Sequence, residues 1–301
     1  MSPSQSLKNI ILSAIAPIIW GSTYIVTTEL LPPHSPLIAA SLRALPAGIL
    51  LVLFSRAWPK TGWWWRIASL GLLNIGLFFY CLFFAATYLP GGMAALVMSI
   101  QPLLVIGLSC LLLGNRISSA QLFACGLAIG GVALLVLNNQ AQLNLAGILV
   151  ATLGTISMAL GVVMTKKWGR PSGMTMLGFT GWQLLFGGLM LFPIALWQEG
   201  FPSQLSTNNY LGYSYLSLFG AMIAYSLWFR GIEKLPTVTL SFIGFLSSVS
   251  ACFLGYLLLD QTLSWPQLVG AFAILLSIVL ATPRAPRQAN PLKFQSQICK
   301  E

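Results

Sequence analysis

The chain has 301 residues, 57% of them hydrophobic and only 7% charged, with a mean hydropathy of +0.84. So apolar a surface cannot be kept in water, which excludes a soluble globular protein. The formal net charge of +10 needs no nucleic-acid partner, because the positions of the charges follow membrane topology.

Runs of about 20 apolar residues, the length of a helical bilayer crossing, recur along the chain. The alternating pattern of a transmembrane β-barrel is absent. The expected fold is an all-α polytopic membrane protein with ten transmembrane helices, at 8–28, 35–55, 67–88, 91–113, 118–137, 145–165, 174–197, 211–231, 237–259 and 264–282. No small-residue cleavage site followed by a soluble domain comes after the first span, so it reads as a retained helix.

The first span contains "PIIWGSTYIVTT", residues 17–28. Pro17 removes the helical donor for the carbonyl of Ser13. Trp20 and Tyr24 are four apart and share a helix face near the bilayer centre. Aromatic belts belong at membrane interfaces rather than at the midplane. Two readings stand: a cavity wall that offers Trp20 and Tyr24 to a substrate, with Pro17 as a hinge, or a packing face on which Gly21 and Ser22 allow close approach.

The second span holds Arg43, the one basic residue inside a span. An intramembrane charge is a functional hypothesis by default. Arg43 either binds an anionic group or pairs with Glu29 and holds the first two helices together, and the structural role is the expectation. In the third span Asn74 and Tyr80 are candidate contacts. The fourth centres on "SIQPLL", where Gln101 is a membrane-buried amide and Pro102 frees the carbonyl of Met98. Thr155 and Met158 in the sixth span, Trp182 and Gln183 in the seventh, and Tyr225 and Trp228 in the eighth each read alone as packing, and together they would complete an aromatic and amide cavity. Such a lining suits neutral, zwitterionic or aromatic substrates. It suits phosphorylated ones poorly, since those want clustered Lys and Arg.

Fourteen of the 15 Lys and Arg fall on one side of the ten spans, while Glu29, Glu199 and Asp260 fall on the other. The positive-inside rule then predicts cytoplasmic termini. A shift of 146 residues lays Leu89-Pro90 on Leu235-Pro236, Ser118 on Ser264 and Gln121-Leu122 on Gln267-Leu268. The same shift brings Gln101 and Pro102 onto Ser247 and Ser248, a polar, bend-prone pair in each half. Five spans per repeat is odd, so the second repeat enters the membrane inverted, with a substrate site expected between the halves. The repeats are expected over 8–140 and 145–282, and a flexible, polar cytoplasmic tail over 283–301.

"WGSTYIVTT", the arginine of "LRALPAGILLVL", the junction "ATYLPGGMAALV" and the ending "LLLGNRISSAQLFACGLAIGGVALL" resemble the EamA-type members of the drug/metabolite transporter superfamily over about residues 10–282. The resemblance implies a cytoplasmic-membrane carrier, often an exporter of amino acids, metabolites or toxic small molecules, that alternates access between two helical halves. One departure is that the family's Gly-Glu at the end of the fourth span reads Gly114-Asn115, and its counterpart reads Asp260-Gln261.

No Asp or Glu falls near a midplane, so no carboxylate relay for proton coupling is legible. His34 lies in an outer loop between prolines and reads as a turn residue. The five cysteines (Cys81, Cys110, Cys125, Cys252 and Cys299) fit neither a disulfide framework nor a metal site. No catalytic residue, metal or cofactor is expected, and no Walker sequence supplies ATP drive. A membrane-embedded enzyme would need acid, histidine or metal ligands in the spans. A sensor or scaffold is the alternative to transport. The expected partners are a small-molecule substrate and membrane lipid, and no feature of the chain specifies an oligomeric state.

Overall fold

The structure is a computed structural model that describes residues 3–33, 35–89, 91–136, 144–202, 204–259 and 264–282; of residues 3, 4, 24, 86, 87, 91–93 and 136 it describes the backbone alone. His34, Asp260 and the tail 283–301 lie outside the described residues. All regular structure among those residues is helical: α1 (Pro3–Leu30), α2 (Pro36–Ser55), α3 (Trp64–Gly71), α4 (Leu77–Tyr88), α5 (Gly91–Met98), α6 (Gln101–Leu113), α7 (Ser119–Val136), α8 (Leu145–Trp168), α9 (Met176–Gln198), α10 (Thr207–Tyr215), α11 (Ala224–Lys234), α12 (Thr237–Ile243), α13 (Leu246–Leu258) and α14 (Trp265–Ala281). Two π-helical segments, Leu72–Gly76 and Leu216–Ile223, join α3 to α4 and α10 to α11.

Seven helical stretches among the described residues are long and apolar enough to cross a membrane, and Ser119–Leu135 and Trp265–Ala281 are shorter but also apolar. The predicted span at 211–231 is helical but is not one of these. Ser214, Ser217 and Ser226, with Tyr213, Tyr215 and Tyr225, interrupt its apolar residues.

The helices pair as α2 with α9, α7 with α14, α1 with α11 and α13, and α8 with α4 and α6. Lipid tails are as apolar as leucine, so packing rather than water exclusion holds such pairs, and small residues let backbones approach. A Cβ added at Gly48 of α2 would lie 2.4 Å from the backbone nitrogen of Leu185, and one at Gly188 of α9 would lie 2.8 Å from the Cα of Leu45. Across α7 and α14, Gly131 and Gly270 each abut the other's carbonyl oxygen, at 2.8 and 2.5 Å from the added Cβ. Away from the basic end, Glu199 beyond α9 accepts hydrogen bonds from the Leu37 and Ile38 amides at 2.8 Å each. A carboxylate thus satisfies the exposed donors at the start of α2 and suits its dipole.

The predicted hinges differ from one another. Pro17 is buried inside α1, which continues through it unbroken. Before Pro102 the fourth span does break, at Ser99-Ile100. Proline has no N–H to give the Met98 carbonyl, and the Leu103 amide turns tightly to Ile100 instead. In the ninth span the break is Gly244-Phe245, where the Ser247 hydroxyl and amide both bond the Gly244 carbonyl. Local serine bonds of this kind compete with the helical ladder.

The shift of 146 residues recurs in the backbone. It carries the start of α5 onto the start of α12 and that of α7 onto that of α14, and it lands Leu72–Gly76 inside the second π-helical segment. The two breaks agree to within one residue.

Replacing Gly48 by Leu forces side-chain volume against backbone, which has nowhere to move. Overpacking of this kind costs about 1–3 kcal/mol. Gly107, by contrast, has nothing within 4 Å of an added Cβ. In detergent, thermal unfolding is expected to drop clearly for Gly48→Leu and to hold or rise slightly for Gly107→Ala, since alanine is the better helix former.

Candidate functional site at the broken helices

The π-helical segments set up the centre of the molecule. At the end of the second one, the Ala224 amide bonds Ala221 and Phe219 and skips Gly220, its α-helical partner. The Gly220 carbonyl instead accepts the Trp20 indole N–H at 3.0 Å and the Arg43 guanidinium at 2.8 Å. The first segment behaves alike: the Leu77 amide reaches back to Leu72, and the Ser157 hydroxyl takes the skipped Leu73 carbonyl at 2.9 Å. Each loosened helix therefore recruits donors from neighbouring helices, as backbone in a bilayer must.

Arg43 is buried, and its Cζ lies 5.1 Å from the Phe79 ring centroid. The expected tie to Glu29 is not formed. Glu29 is exposed in the last turn of α1 and takes a bond from Thr28, whereas Arg43 faces inward, where a carbonyl and an aromatic face solvate its charge.

Around Trp20 the rings close up. Tyr225 lies 4.9 Å and Trp228 5.1 Å from its centroid, and Phe79 lies 6.1 Å from Tyr225. Tyr225, Trp228 and Met158 are buried in the same core. Trp228 also abuts the ninth-span break, with its ring edge 3.5 Å from a Cβ placed on Gly244. Its indole N–H is buried with no acceptor among the described residues. Gln101, Ser247 and Ser248 open the second halves of the broken helices and are each half-buried.

The rest of "WGST" is taken up by packing. A Cβ at Gly21 would lie 2.6 Å from the Cβ of Ser250, whose hydroxyl bonds the Ile18 carbonyl. Ser22 shares a 2.7 Å hydrogen bond with Tyr215. The side chain of Tyr24 lies outside the described residues.

Other predicted contacts are placed in structural roles. Asn74 is fully buried and donates to Thr165 at 3.1 Å and to Gln183 at 3.0 Å, which knots α8 and α9 to the first π-helical segment. Thr155 bonds the Ala151 carbonyl of its own helix. Tyr80 stacks on Phe84, with centroids 5.8 Å apart. Trp182 donates to the Ala57 carbonyl near the ends of α2 and α9.

Sequence reasoning missed the closure at the basic end. The Lys166 ammonium donates to the Glu233 and Leu235 carbonyls at 2.9 Å each, and Glu233 pairs with Arg170 at 3.1 Å and Lys234 at 2.9 Å. Burial raises the Glu233 pKa, but the hydrogen bonds and charges of Lys234 and Arg170 outweigh it and leave the carboxyl below its ordinary value. Nearby, the Ser109 and Thr237 hydroxyls meet at 2.9 Å and join α6 to α12. A cavity of about 230 Å³ borders this junction, lined in part by Asn115, Arg116 and Gln121. Glu233 could have been found in the sequence as the only acid between basic residues on that face.

At the central site the side chains offer aromatic faces, amides and hydroxyls, which can bind and release a molecule but provide no nucleophile or general base. Among the described residues no group of His, Cys, Asp and Glu could hold a metal ion.

The chain matches the EamA-like transporter family over residues 7–137 and 145–282. It is 50% identical over 265 residues to Protein PecM of Dickeya dadantii (strain 3937), covering 88% of this chain and 89% of that relative. The uncharacterized inner membrane transporter YedA of Escherichia coli (strain K12) is 30% identical over 273 residues, 88% and 87% of the two chains. A probable amino-acid metabolite efflux pump of Escherichia coli (strain K12) is 25% identical over 292 residues, 92% and 95% of the two chains. A crystal structure of a protein 16% identical in sequence superposes with a TM-score of 0.79 over 91% of this chain and 96% of that one, a likeness of fold. The chain belongs to the EamA-like transporter family of the drug/metabolite transporter superfamily, and so to membrane transporters rather than enzymes.

Proposed function

We propose that this protein is a secondary exporter of small neutral, zwitterionic or aromatic metabolites, amino acids and their relatives among them, or of drugs of like chemistry. In this reading it lies in the cytoplasmic membrane of a bacterium with both termini inside. It works by alternating access between two inverted five-helix repeats, 8–140 and 145–282. The observation that carries the proposal is the pair of broken helices, α5/α6 and α12/α13, whose breaks recur at one sequence offset beside an aromatic floor of Trp20, Tyr225 and Trp228. Discontinuous helices in matched positions of two halves are where such carriers hold substrate.

The packing supports the repeat. Exchanging each rod for its counterpart turns the α1–α13 pair into α8–α6 and the α1–α11 pair into α8–α4, and all four pairs are packed. The family match falls in two blocks, and one relative is named an amino-acid metabolite efflux pump. Substrate contacts are assigned to Trp20, Gln101, Ser247, Ser248 and the free indole N–H of Trp228. Tyr24 is retained as a further contact. Asn74, Tyr80, Thr155, Met158 and Tyr225 act behind them.

The same exchange points to a state. α6 packs on α12 and α8 on α11 at the basic end, while among the described residues the counterpart pairs α5–α13 and α1–α4 have no comparable packing. We read this as a carrier closed to the cytoplasm and open outward, with the Glu233 cluster as the latch.

Cells expressing the intact protein are expected to enrich a set of amino acids or other neutral, zwitterionic or aromatic metabolites in the medium relative to cells with equal membrane levels of Trp20→Ala. Removing the indole takes away a ring contact and a Gly220 bond, so efflux should fall about tenfold or more. Identical media would overturn export through this site.

The latch is tested with a single cysteine at Ser247 in a chain freed of its native cysteines. Glu233→Gln is expected to raise labelling from the cytoplasmic side several-fold. The ion pairs of Glu233 are about one-third exposed, so the effect on stability stays within about 1 kcal/mol. Because the folded carboxyl is held below its ordinary value, its contribution is present above that value and lost as pH falls through the lowered one. Labelling is compared with the Glu233→Gln chain at each pH, which cancels the thiol's own titration; the several-fold difference should hold between about pH 8 and about pH 6 and close only as stronger acid protonates the carboxyl.

A further inference from the structure

A second site lies away from the transport path, on the loop between α2 and α3. Arg66, in the first turn of α3, sits among three indoles, with its Cζ 5.0 Å from the ring centroid of Trp63, 5.4 Å from Trp65 and 5.9 Å from Trp168. Trp65 and Trp168 are themselves 5.1 Å apart. Among the described residues Arg66 has neither a hydrogen-bond acceptor nor a carboxylate partner, and its Nε is shielded from solvent. Arg56, Lys60 and Lys167 are exposed on the same flank. The described ion pairs of this face all belong to Glu233, which Arg170 and Lys234 already neutralise.

We propose that this tryptophan-ringed arginine binds the phosphodiester headgroup of an anionic phospholipid. Stacking on indoles fixes the guanidinium plane and leaves its N–H edge to donate two parallel bonds, the geometry a phosphate accepts. Exposed indoles mark headgroup depth, and Trp58 and Trp65 are 68% and 56% exposed. Leu53 and Phe54, in the last turn of α2 just before this loop, are 64% and 76% exposed. The surface thus runs from residues that face acyl chains to cations that face headgroups, which favours a lipid over a soluble anion or a protein. The choice of the cytoplasmic leaflet rests on the proposed orientation, whereas the headgroup preference does not.

The test is native mass spectrometry of the purified chain with equimolar phosphatidylglycerol and phosphatidylcholine of matched acyl chains. Phosphatidylglycerol adducts should exceed phosphatidylcholine adducts roughly fivefold or more, the effect of about one cation at the membrane surface. Arg66→Gln should bring the ratio to near one, and Arg116→Gln, a basic residue at the far end of the same face, should leave it unchanged. If Arg66→Gln does not yield folded protein, Lys60→Gln with Lys167→Gln should still lower the ratio. Equal adducts in the intact chain, equal loss in Arg66→Gln and Arg116→Gln, or full displacement by millimolar inorganic phosphate would each overturn a lipid site.

Discussion

The centre of this molecule depends on one carbonyl. The second π-helical segment withdraws the α-helical donor from Gly220, and in a bilayer no water replaces it. Trp20 from α1 and Arg43 from α2 fill the vacancy together. Two helices of the first half are thereby pinned to one point in the second. The loosened turn also places Tyr225 and Trp228, on α11 just beyond it, against the Trp20 ring. A regular α-helix here would satisfy its own backbone and take the Gly220 carbonyl away from Arg43 and Trp20.

The same logic operates at the broken helices with a different outcome. At Gly220 the freed backbone is sealed by neighbouring side chains, so that point is rigid. At Ser99-Ile100 and Gly244-Phe245 the freed groups are met by short local turns and by serine hydroxyls within the same rod. Those residues can change partners without exposing backbone to lipid. The molecule therefore combines joints sealed by side chains from neighbouring helices with two breaks closed inside their own rods.

Helical class, the positions of the rods and the basic face were legible because they follow from hydropathy and charge, which sequence carries directly. The break before Pro102 was legible for the same kind of reason, since a missing N–H is a property of one residue. The function of Arg43 was not. Its type announced a buried charge, but its partner is a carbonyl freed by π-helical hydrogen bonding 177 residues away, and no residue type signals that geometry. Asn74 and Thr155 read as packing when taken singly and as lining only as part of a set. Their bonds to Thr165, Gln183 and the Ala151 carbonyl show the other common fate of such residues, which is gluing helices together. Within "WGSTYIVTT", Gly21 and Ser22 pack on neighbouring helices, while Trp20 bonds the Gly220 carbonyl and meets the Tyr225 and Trp228 rings.

The charges divide into three kinds by what surrounds them. Arg43 is inside, solvated by a carbonyl and a ring, and is fixed. Glu233, Arg170, Lys166 and Lys234 form a closed set at the basic end, joining the ends of α8 and α11, two rods of the second repeat. Arg66 has indoles but no carboxylate partner among the described residues. A carrier that must open and close needs the second kind to be breakable, and partial exposure keeps those pairs weak. It needs the third kind to stay put, because rods that rock against each other must be referenced to the membrane plane. Arg66 is on α3 and its rings are Trp63 just before that helix, Trp65 on it and Trp168 at the end of α8, so a lipid bound there would bridge two rods at their ends.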